Sequence, residues 1–176
     1  MPDQKPEMMQ GKNRILLFRL LKNQNADAAK LVFQTEHTFS YSRSLDRIVT
    51  KDGTIVKVGE LEAEVSIDAI QAKKDPTSAM LQEAAIKGEK LELWEVSVDD
   101  DLKNEEGKYP AVYAQGYLDS WEPASPAEDE ATVSSNFIVE LEPQFGFATL
   151  TEEQEEVVQY AFKDTVAGEE QGGVEG

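Results

Sequence analysis

The stretch GELEAEVSIDAI, from Gly59 to Ile70, decides the fold class. Successive side chains of a β-strand point to opposite faces of its sheet. One face of this stretch carries Leu61, Ala63, Val65 and Ile67, and the other carries Glu60, Glu62, Glu64, Ser66 and Asp68. Such alternation is typical of antiparallel sheets with one face on a core and one in water. We therefore predict a half-buried strand with an acidic, solvated face.

The segment before this strand, from Glu36 to Lys57, predicts a long polar hairpin. Its first half alternates larger side chains with Ser, and Asp52-Gly53 supplies a hairpin turn. The segment has little aliphatic bulk, and its basic residues are Arg43, Arg47, Lys51 and Lys57. We therefore predict a hairpin arm at 36–57 that reaches a partner. The side chains expected to make these assembly contacts are Phe39, Tyr41, Arg43, Arg47 and Lys51. A mobile surface loop is the alternative interpretation.

A helix follows the strand, at about residues 76–87. Asp75 can cap free N–H groups, Pro76 suits the first helical position, and Gly88 is a typical C-terminal residue. The apolar stripe expected on this helix consists of Met80, Leu81, Ala84 and Ala85.

The rest of the chain contains further strand-like segments. We expect them at 13–22, where a short helix is the alternative, and at 31–35, 90–98, 109–121 and 132–141. In the segment at 90–98, the side chains of Leu91, Leu93 and Val96 are expected to point inward. Residues 151–163 have capping-box spacing at Thr151 and Gln154, although alternating apolar residues also allow a strand.

These segments predict a mainly β domain, an antiparallel sandwich or barrel with one flanking α-helix, over residues 13–166. Residues 1–12 are expected to form a flexible arm, and residues 167–176 a disordered acidic tail.

The chain is strongly acidic, with a net charge of −18 over 176 residues. Residues 109–176 contain 15 acids and one base, Lys163. Such a surface repels phosphate, which disfavours ordinary nucleic-acid binding. The N-terminal residues lack the apolar run of an export signal, and the apolar stretch at 15–18 is too short to span a bilayer. We therefore expect a cytoplasmic origin and no membrane partner.

Residues that would support catalysis or cofactor binding are missing from the sequence. There is no Cys and a single His, His37, which excludes thiolate metal sites and disfavours a catalytic triad or a two-His metal site. The acidic run Asp99–Asp101 departs from the calcium-loop pattern, with Lys103 at a ligand position. We predict no enzyme activity, no catalytic or metal-binding residues and no cofactor.

Several segments together resemble a known family. They are GKNRILLFRLLKN from Gly11, LVFQTEHTFSYSRS from Leu31, TKDGTI from Thr50, GELEAEVSIDAI from Gly59, AQGYLDSW from Ala114 and ATLTEEQEEVVQYAFKDT from Ala148. They resemble the major tail protein of long, non-contractile-tailed phages of low-GC Gram-positive bacteria. The resemblance covers roughly residues 11–166.

The resemblance implies a tail tube subunit of the virion, assembled in the host cytoplasm. It implies hexameric rings that stack into a hollow conduit for genome delivery, with the 36–57 hairpin reaching neighbouring subunits. Tape measure, tail terminator and tail-tip proteins are the implied partners. DNA would pass through the lumen without specific binding, and Glu60, Glu62 and Glu64 are candidate lumen carboxylates.

Other functions fit the same composition. A capsid decoration or baseplate-associated protein would also be β-rich and acidic. A carbohydrate-binding module could use Trp94 and Trp121 for stacking, although packing in a core or interface is the more common role of such residues. A DNA-mimic inhibitor rests on charge alone.

Overall fold

The computed structural model describes residues 5–152 and residue 154, which form one seven-stranded antiparallel sheet and a helix. The strands are β1 (Arg14–Leu20), β2 (Ala29–Lys30), β3 (Gln34–Thr50), β4 (Gly53–Ile70), β5 (Leu91–Ser97), β6 (Tyr109–Ala124) and β7 (Thr132–Ala148). The helix, α1 (Pro76–Lys87), lies between β4 and β5 in the chain. This confirms a mainly β, antiparallel fold with one helix.

The sheet curls until its two ends meet. Its strand order is β2-β1-β5-β6-β7-β4-β3, so β3 and β1 lie near opposite edges. Nevertheless the side chain of Gln34 on β3 bonds the backbone of Leu16 on β1, at 2.8 and 3.1 Å. Of the two architectures left open by the sequence, a single sheet curled into an open barrel is the one observed.

The main core fills the inside of the curl and the contact with α1. Its buried side chains are Leu16, Phe18, Leu31, Val65, Ile67, Ala69, Leu81, Ala84, Leu91, Leu93, Ala114, Leu118, Val133 and Phe137. Helix α1 begins as expected, because the Asp75 side chain accepts a hydrogen bond from the Thr77 N–H. It ends at Gly88, which is left-handed with φ 66°. Leu81 and Ala84 are buried, with Met80 and Ala85 partly buried against the core.

A second core covers the opposite face of β1, β5 and β6. It contains Ile15, Leu17, Val96, Val98, Tyr109, Ala111 and Leu150. Strand β5 is therefore buried on both faces, and Val96 points away from Leu91 and Leu93 rather than with them. The expectation that all three share one face was wrong, because alternation places an even-numbered residue opposite the odd ones.

The hairpin of β3 and β4 is longer than the sequence indicated. Strand β4 runs unbroken through Gly59, so the predicted hairpin arm and the predicted strand at Gly59–Ile70 are parts of one strand. A register shift lies between Arg43 and Leu45 of β3. A Cβ atom on Gly59 would lie 2.2 Å from the Ser44 hydroxyl oxygen and 3.0 Å from the Ser44 carbonyl oxygen, so a larger residue at this bulge would force Ser44 to shift.

Two further expectations about secondary structure changed. Residues 31–35 do not form a separate strand: Val32 and Phe33 form a turn, with Phe33 at φ 55°, between β2 and β3. At the end of the described chain, the Thr151 N–H donates to Gln154 Oε1 at 3.0 Å, and the Gln154 N–H donates to Thr151 Oγ1 at 3.3 Å. This capping box is the start of a helix. Most of the predicted 151–163 element and the predicted 167–176 tail lie outside the described residues.

Candidate assembly surfaces

The outer half of the hairpin extends beyond the curled sheet. Pairing of β4 with β7 runs from Ile70 to Glu64 and stops there, whereas its pairing with β3 continues to the turn at Gly53. We call the segment from Arg43 to Leu61 the arm. Within the part of the chain that the structure describes, the side chains of its outer half are solvent-exposed. The arm is therefore a two-stranded ribbon without a core of its own, which is marginal in water unless something covers it.

The arm carries more aliphatic surface than its sequence indicated. Six of its side chains are large, apolar and between 42% and 82% exposed: Leu45, Ile48, Val49, Ile55, Val56 and Val58. The description of the hairpin as having little aliphatic bulk was therefore wrong for its outer half. The Ser-rich first half, which gave that impression, lies over the domain.

The exposed aliphatic side chains concentrate on the side of the ribbon that continues the core-facing side of the sheet. Leu45 pairs with Val58, and Arg47 pairs with Val56, so these four share a face. Alternation along β3 puts Leu45, Arg47 and Val49 on the side of Phe39 and Tyr41. The face that covers the core at the root of the hairpin is thus still apolar where there is no core beneath it.

The predicted assembly residues divide into two groups. Phe39 packs against the main core, and the Tyr41 ring stacks on the Phe39 ring with a centroid separation of 4.9 Å. Both side chains therefore support the root of the hairpin. Burial raises the pKa of Tyr41, and the negative charge of Glu95 adds to this effect.

Arg43 donates to the Gly59 carbonyl at 2.9 Å, across the bulge. Arg47 and Lys51 lie on the exposed arm and are available to a partner.

The lone histidine belongs to the same root. His37 Nε2 lies 2.7 Å from Glu95 Oε2, and both side chains are only 11% exposed. His37 is on β3 and Glu95 on β5, so the pair joins strands that are far apart in the sheet order. This contact spans the interior of the curl and holds the hairpin root against the domain.

Two of the three candidate lumen carboxylates, Glu62 and Glu64, lie on the outer face of the sheet. Glu62 and Glu64 are exposed and pair with Ser42 and Ser40 of β3. Glu60 is exposed too, but it falls in the register shift, so regular alternation assigns only Glu62 and Glu64 to this face.

The face around Glu62 and Glu64 is acidic and polar over four adjacent strands. We define the acidic face by its carboxylates: Glu36, Glu62, Glu64, Asp68, Asp119 and Glu122. The strand segments that carry it (residues 34–42, 62–70, 117–124 and 132–138) contain no Lys or Arg. Asn136 donates to Glu64 at 3.2 Å and to Asp119 at 3.4 Å, and Ser134 donates to Asp68 at 2.7 Å. Hydroxyl and amide groups thus hold carboxylates in place without neutralising their charge.

Charge changes sign along the hairpin. The arm carries Arg43, Arg47, Lys51 and Lys57 against Asp46, Asp52 and Glu60, whereas the acidic face at its root is uniformly negative. A basic projection on a chain of net charge −18 attracts the acidic surface of another copy at short range.

Sequence reasoning missed a second exposed apolar surface, at the end of β7. Phe145 is 77% exposed and Phe147 is 55% exposed, both beyond the predicted end of that strand at residue 141. The preceding Leu141 is 84% exposed and has φ 64°, a conformation that is uncommon for a branched residue. The signal that could have located this surface is the alternation of Phe145 and Phe147 around Gly146.

Groups of side chains that could bind a metal ion are absent from the described residues. The acidic run at Asp99–Asp101 forms a short 3₁₀ turn in which Asp99 accepts a hydrogen bond from the Asp101 N–H and Asp100 pairs with Lys103 at 2.9 Å. None of the helices in the described part is long and apolar enough to cross a membrane.

Comparison with known families agrees with this geometry. The family model described as phage tail tube protein matches residues 8–145. The chain belongs to the phage tail tube protein family. A relative provisionally named as a tail protein of Staphylococcus phage phiMR25 is 30% identical over 162 residues, covering 90% of this chain and 83% of that protein. This tail tube protein is therefore a structural component of the virion tail and not an enzyme.

Solved structures share the tail tube fold. The tail tube of phage SPP1 matches with a TM-score of 0.73 and 20% identity, covering 95% of this chain and 99% of that chain. The tail of a gene transfer agent particle, refined with C6 helical symmetry, matches with a TM-score of 0.63 and 14% identity, covering 79% and 99%. The baseplate of an anti-feeding prophage matches with a TM-score of 0.54 and 6% identity, covering 81% and 96%. At these identities the likeness concerns the fold.

Proposed function

We propose that six copies of this tail tube protein form a ring and that the rings stack into a hollow tube through which the phage genome passes. The observation that carries the proposal is the arm, whose apolar side chains are exposed in the single chain. The C6 symmetry of the gene transfer agent tail, which has the same fold, supports six subunits in each ring.

The acidic face supports a role in the lumen. Because the face bears carboxylates and its strand segments contain no basic residue, it repels DNA phosphates and offers them no ion pair. Screening extends over about 8 Å at physiological salt, so only a layer that lines the channel acts directly on the DNA. We assign Glu62 and Glu64 to this layer, with Glu60 at its margin beside the arm.

Binding partners follow from the two open ends of such a tube. A polymer of identical rings needs one protein that sets its length and others that close its ends. We assign these roles to a tape measure protein, a tail terminator and tail-tip proteins, as the family resemblance implies.

Sedimentation velocity over a range of concentrations tests the assembly. The high net charge keeps dilute chains apart, so we expect a monomer at low concentration and rings or longer polymers when the protein is concentrated. A single monomer boundary at every concentration, with and without tail-tip seeds, would contradict the proposal.

A further inference from the structure

The exposed end of β7 forms one side of an open groove. Phe145 pairs with Val112 and Phe147 with Pro110 across β6 and β7, so these four side chains share a face. The groove has a volume of about 420 Å³, and Arg14, Glu95 and Ser97 lie along its other side. We call Pro110, Val112, Phe145 and Phe147 the shelf.

The shelf is a part of the core-facing side of the sheet that the core does not reach. Glu95 pairs with Val112, and the adjacent pair Leu93 and Ala114 belongs to the main core. Alternation indicates that Val112 and Ala114 point to the same side of β6. β4 stops pairing with β7 at Ile138, whereas β7 continues to Ala148, so Phe145 and Phe147 lie beyond the part of β7 that pairs with β4.

The arm and the shelf have matching chemistry. Both are stretches of core-facing sheet without a core: Val49 is 82% exposed on the arm, and Phe145 is 77% exposed on the shelf. Burying one phenylalanine ring removes about 150–250 Å² from water, so two rings against an aliphatic ribbon provide a large apolar contact. Because both surfaces are exposed in the single chain, the arm does not cover the shelf of its own chain.

Charge favours the same pairing. Residues 109–152, which supply the four shelf residues, contain no Lys or Arg, and Glu142 is exposed on the strand that bears the two phenylalanines. The basic residue that lines the groove is Arg14, on its other side together with Glu95. Arg47 lies on the same face of the arm as Leu45, Val49, Val56 and Val58, whereas Lys57 pairs with Asp46 on the opposite face. A basic ribbon is therefore attracted to this region, while the acidic face of another copy is repelled from it.

We propose that the shelf is the receptor for the arm of a second copy of this chain, with Leu45, Val49, Val56 and Val58 packed on Phe145 and Phe147. This inference rests on the proposed tube and names the contact that extends it. Arm and shelf are different surfaces, so the contact is heterologous, and each copy receives one arm while presenting its own. Repetition of such a contact propagates through many copies instead of closing in a pair.

Cysteine cross-linking tests the contact, because the chain contains no Cys of its own. One preparation carries Val49→Cys and another carries Phe145→Cys, and the two are mixed, assembled and oxidised. Only contact between different copies can then join the two positions. The control replaces Phe145→Cys with Ile86→Cys, which is 75% exposed on α1 and away from the shelf.

The docking contact predicts a covalent dimer for Val49→Cys with Phe145→Cys and its loss when Ile86→Cys is used. Tubes without this dimer, or with equal dimer in the control, would overturn the docking contact and leave the proposed tube intact. If the unmodified chain forms neither rings nor tubes, both proposals are overturned.

A second variant, Phe145→Ser with Phe147→Ser, checks the shelf without a cross-link. Because both rings are exposed, the circular dichroism spectrum and melting temperature should be unchanged while sedimenting polymers are lost. The matched variant Ile86→Ser should still polymerise. Normal polymers from the double variant would contradict the role of the shelf.

Discussion

The side chain of Gln34 forms hydrogen bonds with both backbone polar groups of Leu16: the Leu16 N–H donates to Oε1 at 3.1 Å, and Nε2 donates to the Leu16 carbonyl at 2.8 Å. Nε2 also donates to the Leu31 carbonyl at 3.1 Å. The amide thus replaces a neighbouring strand at the place where β3 returns to β1. It closes the curled sheet at the start of β3, the strand that continues into the arm.

Gln34→Glu should destabilise the monomer. The carboxylate cannot donate to the Leu16 and Leu31 carbonyls, so two acceptors lose their partner and a charge is placed beside them. We expect the free energy of unfolding to fall by about 1–3 kcal/mol, measured by urea denaturation. Gln24→Glu makes the same charge change at an exposed position and should have little effect. Equal stability of the two variants would show that the Gln34 bonds do not close the sheet.

The Arg19–Glu92 pair should contribute much more to the free energy of unfolding than a surface ion pair does. Arg19 Nε lies 2.6 Å from Glu92, whose side chain is 5% exposed, and the guanidinium also stacks over Trp94. Arg19→Met leaves a buried carboxylate without its cation, which costs about 3–5 kcal/mol. Lys22→Met removes an exposed partner of Glu89 and should cost about 0–1 kcal/mol. Thermal and urea denaturation of both variants measure the difference, and similar losses would contradict this account.

The inner half of β4 and helix α1 could be predicted from the sequence, because each depends on the pattern of neighbouring residues. Alternation identified the inner half of β4, and Asp75, Pro76 and Gly88 located α1 within the observed bounds. The continuity of β4 through Gly59 was missed, since a glycine in a strand pattern looks like a boundary when it serves a bulge.

The candidate assembly surfaces were harder to predict than the fold. Exposure of Val49 and Phe145 depends on where β4 leaves β7, and that is a property of the whole sheet rather than of neighbouring residues. The same residues around Val49 and Phe145 would be compatible with buried strands in a closed barrel. Phe39, in contrast, was assigned to the assembly hairpin although it packs on the core, because alternation alone cannot tell the root of a hairpin from its end.

Removal of the outer arm should separate folding from assembly. Replacing residues 45–58 with an Asn-Gly turn deletes mostly exposed side chains, so the melting temperature should change little while polymers are lost. A larger deletion, from Thr38 to Val56, also removes Phe39 from the core and Tyr41 from its stack, and should lower the melting temperature. Differential scanning calorimetry and sedimentation measure the two effects. Polymers from the shorter deletion would show that the arm is not required.

Charge reversal on the acidic face should change how tubes interact with DNA. Glu62→Lys with Glu64→Lys adds positive charge to a face without basic residues, in every subunit of a ring. If the face lines the lumen, tubes still form, DNA adheres to the channel wall with strong salt dependence, and genome ejection slows. Glu105→Lys with Glu106→Lys makes the same charge change in an exposed loop and should leave ejection unchanged. Unchanged ejection together with clumping of Glu62→Lys, Glu64→Lys tubes would place the face on the exterior.

Electron microscopy of the concentrated, unmodified protein tests the central claim most directly. The account predicts hollow tubes built from stacked rings, with six-fold symmetry in averaged end views and a continuous central channel. Monomers at every concentration, or solid fibres without a channel, would contradict the assignment of this chain as the polymerising wall of the tail tube.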